Sequence, residues 1–234
     1  MANFVMKDKL THDFEYELLN AIDFLEWFYD DVDHSVYRED DDLPEDFVPV
    51  GPIEFVKKFS PIKPPINIPE ELRKDKYLKR EITIINLSEM PIELEGMNFI
   101  KYLDGYKGLT AVLGPDPIEP IAEVTPGRYL ISEYIKIQTE YRVFVHKNKI
   151  VDIRKYSGDY NAHLDVNLIK DMIYEYDKHF PYTLDVAVSD RGTCLIEIHP
   201  FVSCGLYGMN NYNKLIPMTV QGYQWIKEET NDRG

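Results

Sequence analysis

From Thr183 to Phe201 the chain reads Thr-Leu-Asp-Val-Ala-Val-Ser-Asp-Arg-Gly-Thr-Cys-Leu-Ile-Glu-Ile-His-Pro-Phe. Two apolar runs of alternating character flank Ser189, Asp190, Arg191 and Gly192. This pattern predicts a β-hairpin whose turn uses Gly192 for a positive φ. With a loop from Asp190 to Gly192, the strands pair symmetrically about Arg191 and Asp185 falls opposite Glu197. Side-chain alternation then places His199 on the same face as Glu197. Like charges directly opposite each other destabilise a sheet. Two carboxylates and an imidazole converging on one face therefore point to a cation, most simply a divalent metal with a phosphate ligand.

Other segments surround this hairpin with β-rich sequence. Glu81–Ile85, Asn98–Tyr102 and Tyr129–Ile135 are predicted strands, and Glu140–His146 with Lys149–Tyr156 forms a second hairpin across Lys147 and Asn148. Asp165 can cap a helix from about Val166 to His179, on which Ile169, Met172, Ile173 and Tyr176 share a face. Near the N-terminus Phe14, Leu18, Ile22, Leu25 and Tyr29 recur at helical spacing, predicting an amphipathic helix over 12–29 with Thr11 as its cap. A turn and a short strand are predicted within Phe47–Phe59. Pro61, Pro64, Pro65 and Pro69 make the next segment an extended, stiff connection. A last helix begins near Lys214, where Pro217 is tolerable only in the first turn. Hairpins with interspersed helices indicate an α+β fold.

With 234 residues the chain can bury a sizeable core, as one large domain or two lobes. The formal net charge of −15 argues against a general nucleic-acid binder, whose affinity rests on phosphate neutralisation by Lys and Arg. Asp30, Asp31, Asp33, Glu39, Asp40, Asp41, Asp42, Glu45 and Asp46 crowd one stretch. This is foremost a solvated loop, and secondarily a docking site for a basic partner. No apolar run can span a bilayer, the N-terminus lacks a signal-peptide pattern, and Cys194 and Cys204 lack CxxC spacing. A cytoplasmic protein with free thiols and no membrane association is expected. Neither a P-loop GxxxxGK[ST] nor a GxGxxG fingerprint is present, and the histidines are too scattered to indicate a nucleophilic triad.

Several of these segments together resemble the ATP-grasp superfamily, and most closely its clade named for an arginine and two lysines. The resemblance runs from about Val48 to Tyr207 and is strongest from Leu130 onward. It implies an ATP-grasp-like α+β fold in which two subdomains enclose a nucleotide cleft. The implied division is a short N-terminal precursor-type region (1–76), an N-terminal ATP-grasp subdomain (77–135) and a C-terminal one (136–234).

The acidic hairpin resembles the metal end of that fold, so Asp185 and Glu197 are the implied magnesium ligands. His199 stands where asparagine is usual. Imidazole serves magnesium poorly, although manganese tolerates it, and His199 can instead hydrogen-bond a phosphate or Glu197. The segment Glu133-Tyr134-Ile135 through Glu140 and Arg142 resembles the hinge, whose backbone meets adenine and whose later glutamate accepts from ribose hydroxyls. Arg142 suits a terminal phosphate because its planar fork binds oxygens bidentately. Lys101 and Lys107, the latter in a glycine-flanked loop, match the two lysines that reach phosphate, and Arg80 or Arg142 the arginine. Arg154 or Lys155, of which alternation lets only one face the cleft, matches a basic residue near the transferred phosphoryl group.

The implied activity is an ATP- and Mg2+-dependent ligase joining a small-molecule or peptide carboxylate to an amine through an acyl-phosphate. The alternatives are a non-catalytic relative that binds nucleotide or a partner, and an ATP-dependent modifier of a protein or peptide. None of these fixes an oligomeric state.

Overall fold

A computed structural model describes residues 2–27, 32–38, 42–88, 96–114 and 125–228. The chain opens with strand β1 (Ala2–Met6), helix α1 (Asp13–Glu26), strand β2 (Val32–Val36) and strand β3 (Val48–Val50). The three strands form a parallel sheet of order β2-β1-β3. Phe14, Leu18, Ala21, Ile22 and Leu25 are the buried stripe of α1. The helix starts one residue later than expected, with His12 rather than Thr11 at its N-cap. There the Glu15 carboxylate reaches back to the His12 N–H at 3.3 Å and to the Thr11 N–H. β1 and β2 are strands that hydropathy alone does not reveal. Tyr29, Asp30, Asp31, Glu39, Asp40 and Asp41 lie outside the described residues.

Helix α2 (Ile53–Val56) follows β3, so the predicted turn and strand become a three-residue strand and a single helical turn. The proline-rich segment runs without regular structure to an isolated bridge between Asn67 and Ile198, then a 3-10 turn at Glu70–Leu72 and helix α3 (Asp75–Leu78). Strands β4 (Ile82–Leu87), β5 (Asn98–Tyr102), β6 (Thr110–Leu113) and β7 (Gly127–Glu133) make an antiparallel sheet of order β4-β7-β5-β6. β6 is a further strand absent from the sequence expectations.

Strands β8 (Ile137–His146) and β9 (Lys149–Gly158), helix α4 (Val166–Tyr176), and strands β10 (Tyr182–Ser189) and β11 (Gly192–Pro200) follow. The four strands form an antiparallel sheet of order β11-β10-β8-β9. Lys147 and Asn148 both take positive φ (52° and 56°), as a tight two-residue hairpin turn requires. Asp165 caps α4 by accepting from the Asn167 and Leu168 N–H groups. Tyr141, Val143 and Val145 on one face of β8 join Leu184, Val186, Leu195 and Ile198 in a core beneath Ile169, Met172 and Ile173 of α4. The opposite face of β8 carries Glu140, Arg142 and Phe144.

The hairpin that opened the sequence argument turns in two residues rather than three, with Ser189 paired to Gly192 and Val186 to Leu195. Continued unbroken, that register would set Asp185 against Ile196 and send Glu197 to the apolar core face. A β-bulge between Asp185 and Val186 restores the Asp185–Glu197 pairing, with Ile196 as the extra residue. The predicted juxtaposition is present, and a bulge produces it in place of turn length.

Helix α5 (Tyr212–Glu228) is the last element among the described residues and packs on α1. One hydrophobic core unites Leu18 and Ile22 of α1, Phe4 and Met6 of β1, Phe144, Phe201 and Leu215. Pro217 is the sixth residue of α5, beyond the first turn to which sequence rules confine it. Tertiary packing of Leu215, Met218 and Tyr223 into the shared core outweighs that defect.

Candidate active site

Asp185 and Glu197 lie side by side on β10 and β11 because of the bulge, and His199 follows on the same face opposite Thr183. One ligand atom from each of the three lies within 4.8 Å of the others. Each carboxylate already has a counter-ion. The Arg142 guanidinium donates to both oxygens of Asp185, Nε to Oδ1 at 2.8 Å and Nη2 to Oδ2 at 2.7 Å. Arg142 also donates from Nη1 to the Gly205 carbonyl at 2.9 Å. This is a buried, bidentate pair, and although burial opposes the charge on Arg142, Asp185 overcomes it and raises the pKa. Glu197 receives the Lys101 ammonium on Oε2 and the His199 Nε2 on Oε1 at 3.0 Å. Burial works to raise the Glu197 pKa, but His199 and Lys101 together bring it down to about 2.

At Glu197 and His199, but not at Asp185, this centre borders a cleft of about 630 Å³ between the β4–β7 sheet and the β8–β11 sheet. Its walls include Arg80, Lys101, Glu133, Tyr134, Ile135, Glu140, Glu197 and His199. Eight of the residues expected to bind nucleotide or metal therefore face one space. Glu140 stands near Tyr156, whose hydroxyl is 3.4 Å from Oε1. Burial raises the Glu140 carboxyl above its ordinary range, and the charges of Asp185 and Glu197 add to the effect. Arg80 is held by Ser132 Oγ (2.9 Å) and by the carbonyls of Leu78 (3.0 Å) and Leu195 (2.8 Å); burial lowers its pKa. Ile135 is buried against Ala187, Cys194 and Ile196, while Tyr134 is exposed.

A second cleft of about 450 Å³ adjoins the first and shares Tyr106 and His199 with it. Its walls come from the start of α1, the β3–α2 turn, the loop at 203–207, and Arg142. Lys107 belongs to this second space rather than to the larger one, and its ammonium is 3.5 Å from Glu54 Oε1. Arg154 pairs across the ladder with Arg142 and shares its face, bound to Asp152 (2.8 Å) with Asn210 Oδ1 at 3.4 Å. Lys155 turns the other way, donating to the Gly158 carbonyl at 2.5 Å and lying 3.2 Å above the Tyr160 ring. The structure therefore separates the two basic residues by face, and neither lines either cleft.

Some site-forming residues carry no signal in the sequence. Arg191, at the tip of the β10–β11 hairpin, clamps the Glu133 carboxylate with contacts of 2.8 and 2.5 Å. It ties the C-terminal hairpin to the end of β7, a contact 58 residues apart in the chain. Tyr207 stacks on Tyr156 at 4.8 Å between ring centroids, and the Arg142 guanidinium lies 5.1 Å from the Tyr207 centroid. The aromatic residues have no spacing relation to Arg142 in the chain, so only folding could associate them.

The donor set suits a divalent cation. Two carboxylates and one imidazole each bring a ligand atom within 4.8 Å of the others, and Arg142 and Lys101 neutralise the acids. Residues 77–215 match the sequence family described as the ATP-grasp domain, family 2, of the clade named for an arginine and two lysines. No curated protein sequence matches the chain. Among solved structures, the fold is similar to D-alanine–D-alanine ligase from Bacillus anthracis, with a TM-score of 0.56 at 11% identity over 98% of this chain and 100% of that one. It is also similar to a RimK domain ATP-grasp protein from Sphaerobacter thermophilus, with a TM-score of 0.52, 13% identity, and 96% and 99% coverage. N5-carboxyaminoimidazole synthetase from Staphylococcus aureus gives a TM-score of 0.52 at 11% identity, covering 94% of this chain and 77% of that one. With the family match covering more than half of the sequence and the α+β sheets arranged around one cleft, the chain belongs to the ATP-grasp superfamily, in family 2 of the clade named for an arginine and two lysines.

Proposed function

We propose that this chain is an ATP- and Mg2+-dependent carboxylate–amine ligase that forms an amide or peptide bond through an acyl-phosphate. The observation that carries the proposal is the meeting of two cavities at Tyr106 and His199, beside Glu197 and Arg142. The larger cleft takes ATP, with the Glu133–Ile135 segment at the base and Glu140 at the ribose. Lys101 and Arg80 lie toward the phosphates, and the smaller cleft takes the carboxylate.

Asp185, Glu197 and His199 are the residues that would hold the metal. A magnesium or manganese ion held by them would supply positive charge to offset that of the phosphates. Lys101 and Arg142, which hold Glu197 and Asp185 in this structure, bring further positive charge for phosphate and acyl oxygens. Phosphoryl transfer needs alignment and charge neutralisation more than covalent help from the protein. A substrate carboxylate oxygen attacks the γ-phosphorus, the bond to the β-bridging oxygen breaks, and ADP leaves. An amine then attacks the acyl carbon, phosphate departs, and the amine's proton passes to solvent. Arg142, pinned to the Gly205 carbonyl and lining the smaller cleft, is placed to receive the developing negative charge.

The buried, free thiols of Cys194 and Cys204 support a reducing compartment such as the cytoplasm. No helix among the described residues is long and apolar enough to cross a membrane. The test is ATP turnover with a carboxylate and an amine supplied together. ADP and phosphate released in proportion to the pair support the ligase. AMP release, or nucleotide binding without turnover for any carboxylate, would overturn it.

A further inference from the structure

Glu15 is the most deeply buried acid on the wall of the smaller cleft, only 1% exposed, and it is half used. Its Oε2 caps α1 through the Thr11 and His12 N–H groups, while Oε1 has no hydrogen-bond partner. His12 Nδ1 is 3.7 Å from Oε1, beyond hydrogen-bonding range, and itself contacts the Thr11 hydroxyl at 2.8 Å. A second unsatisfied buried atom, the Tyr106 hydroxyl, belongs to the same cleft at its junction with the nucleotide space. Burial raises the Tyr106 pKa to about 12, so the hydroxyl remains a donor at neutral pH.

Unsatisfied buried polar atoms are costly and uncommon, and two of them lining one cavity call for a ligand that satisfies both. The demands have opposite sign. Glu15 Oε1 is an acceptor with negative charge, whereas the Tyr106 hydroxyl and the Arg142 guanidinium are donors. Hydrogen bonds tie the walls of this cleft together. Asp13 Oδ2 accepts from the Leu206 and Tyr207 N–H groups (2.7 and 2.6 Å), tying the start of α1 to the loop that holds Arg142. Ser203 Oγ donates to the Gly51 carbonyl at 2.7 Å, tying the same loop to the β3–α2 turn. The cleft also lies beyond the carboxyl ends of β1 and β3, where the β2-β1-β3 order reverses about β1. Open α/β sheets take their ligands at such a position.

We infer that the carboxylate substrate of the proposed ligase is a free amino acid. Its ammonium group is received by Glu15, and its carboxylate lies at Tyr106 and His199, beside Arg142. This inference rests on the ligase assignment above and narrows it. The ammonium held by Glu15 is not the attacking amine, because a protonated nitrogen has no lone pair to donate.

The experiment offers the purified protein MgATP, hydroxylamine as a neutral nucleophile, and three matched panels. These are the twenty standard amino acids, their N-acetyl derivatives, and the corresponding carboxylic acids lacking the amino group. Hydroxylamine attacks the acyl-phosphate carbon, releasing phosphate and leaving a hydroxamate that is read by its colour with ferric ion. One or more free amino acids should form hydroxamate about ten- to a hundredfold faster than their N-acetyl and deaminated counterparts, as expected for losing one buried charge-assisted contact. Glu15→Gln keeps an oxygen to cap α1 but removes the charge, and should bring that ratio close to one while leaving the KM for ATP unchanged. A purely structural role for Glu15 would lower every rate together and preserve the ratio, which would overturn the inference. Hydroxamate from N-acetyl or deaminated acids at rates equal to the free amino acids would overturn it too, while leaving the ligase assignment intact. No hydroxamate from any of the three panels would overturn both.

Discussion

Replacing Asp185 by Asn tests whether the buried Arg142–Asp185 pair organises the site. The Asp185 side chain is 3% exposed and that of Arg142 is 10% exposed, with two donor–acceptor distances of 2.7 and 2.8 Å. An asparagine retains one oxygen, so one guanidinium N–H keeps its acceptor while the other meets an amide NH2. The Arg142 charge then remains buried without a counter-ion, because the neighbouring Glu197 carboxylate is already engaged by Lys101 and His199. Breaking one side of a buried ion pair costs about 3–5 kcal/mol. For a chain of this size about 1 kcal/mol corresponds to roughly 2–4 °C in Tm, so a fall of roughly 6–20 °C is expected. The assay is equilibrium urea unfolding followed by circular dichroism, with metal chelated and nucleotide absent. A loss below about 1 kcal/mol, the range of an exposed pair, would refute the reasoning. The double variant Asp185→Leu with Arg142→Met removes both charges and should recover most of the loss, because no uncompensated ion remains.

Gly222→Ala in α5 should destabilise the protein by about 1–3 kcal/mol in the same assay, since a Cβ there would stand 2.3 Å from the Phe201 carbonyl oxygen. Helix propensity alone predicts the opposite sign, a gain of about 1 kcal/mol, so a stabilised variant would contradict the packing argument. Glu197→Gln should weaken magnesium-dependent ATP binding about tenfold or more in calorimetric titration, and equal affinities would remove Glu197 from the metal site. Glu175 joins α4 to α3 through Lys74, the Tyr77 hydroxyl and Lys76, which lower its carboxyl from the ordinary 4.5 to about 2. With the folded value depressed, its stabilising contribution is complete above about 4.5 and disappears as the pH falls through about 2. Glu175→Gln should therefore flatten the dependence of stability on pH in that window. An unchanged slope in acid titrations of urea-unfolding midpoints would count against these contacts.

Much of the local structure was legible in the chain. Period-two alternation located β5 at Asn98–Tyr102, β8 and β9 around Lys147 and Asn148, and β10 and β11 around Asp190 and Arg191. Asp165 marked the start of α4, and the Phe14–Leu25 spacing marked α1. These signals are local, because a half-buried strand or helix exposes its periodicity within a few residues. β1, β2 and β6 carried weaker signals. β1 is central and parallel, and Phe4, Val5 and Met6 are all buried, so alternation is lost there. β2 and β6 are short, and only pairing with neighbouring strands defines them.

Residue order along the chain was enough to set the available chemistry: two carboxylates and an imidazole on one strand pair, a glutamate and an arginine two residues apart on β8, and a lysine on β5. How those groups are used was settled by folding. A bulge at Ile196, not turn length, brought Glu197 to Asp185. Packing between sheets delivered Lys101 to Glu197 across 96 positions of chain. The same packing moved Lys107 to the second cleft, turned Lys155 outward, and set Glu15 from the N-terminal helix into that cleft's wall. Side-chain alternation is a property of neighbouring residues, whereas register and long-range burial depend on which distant surfaces exclude water together.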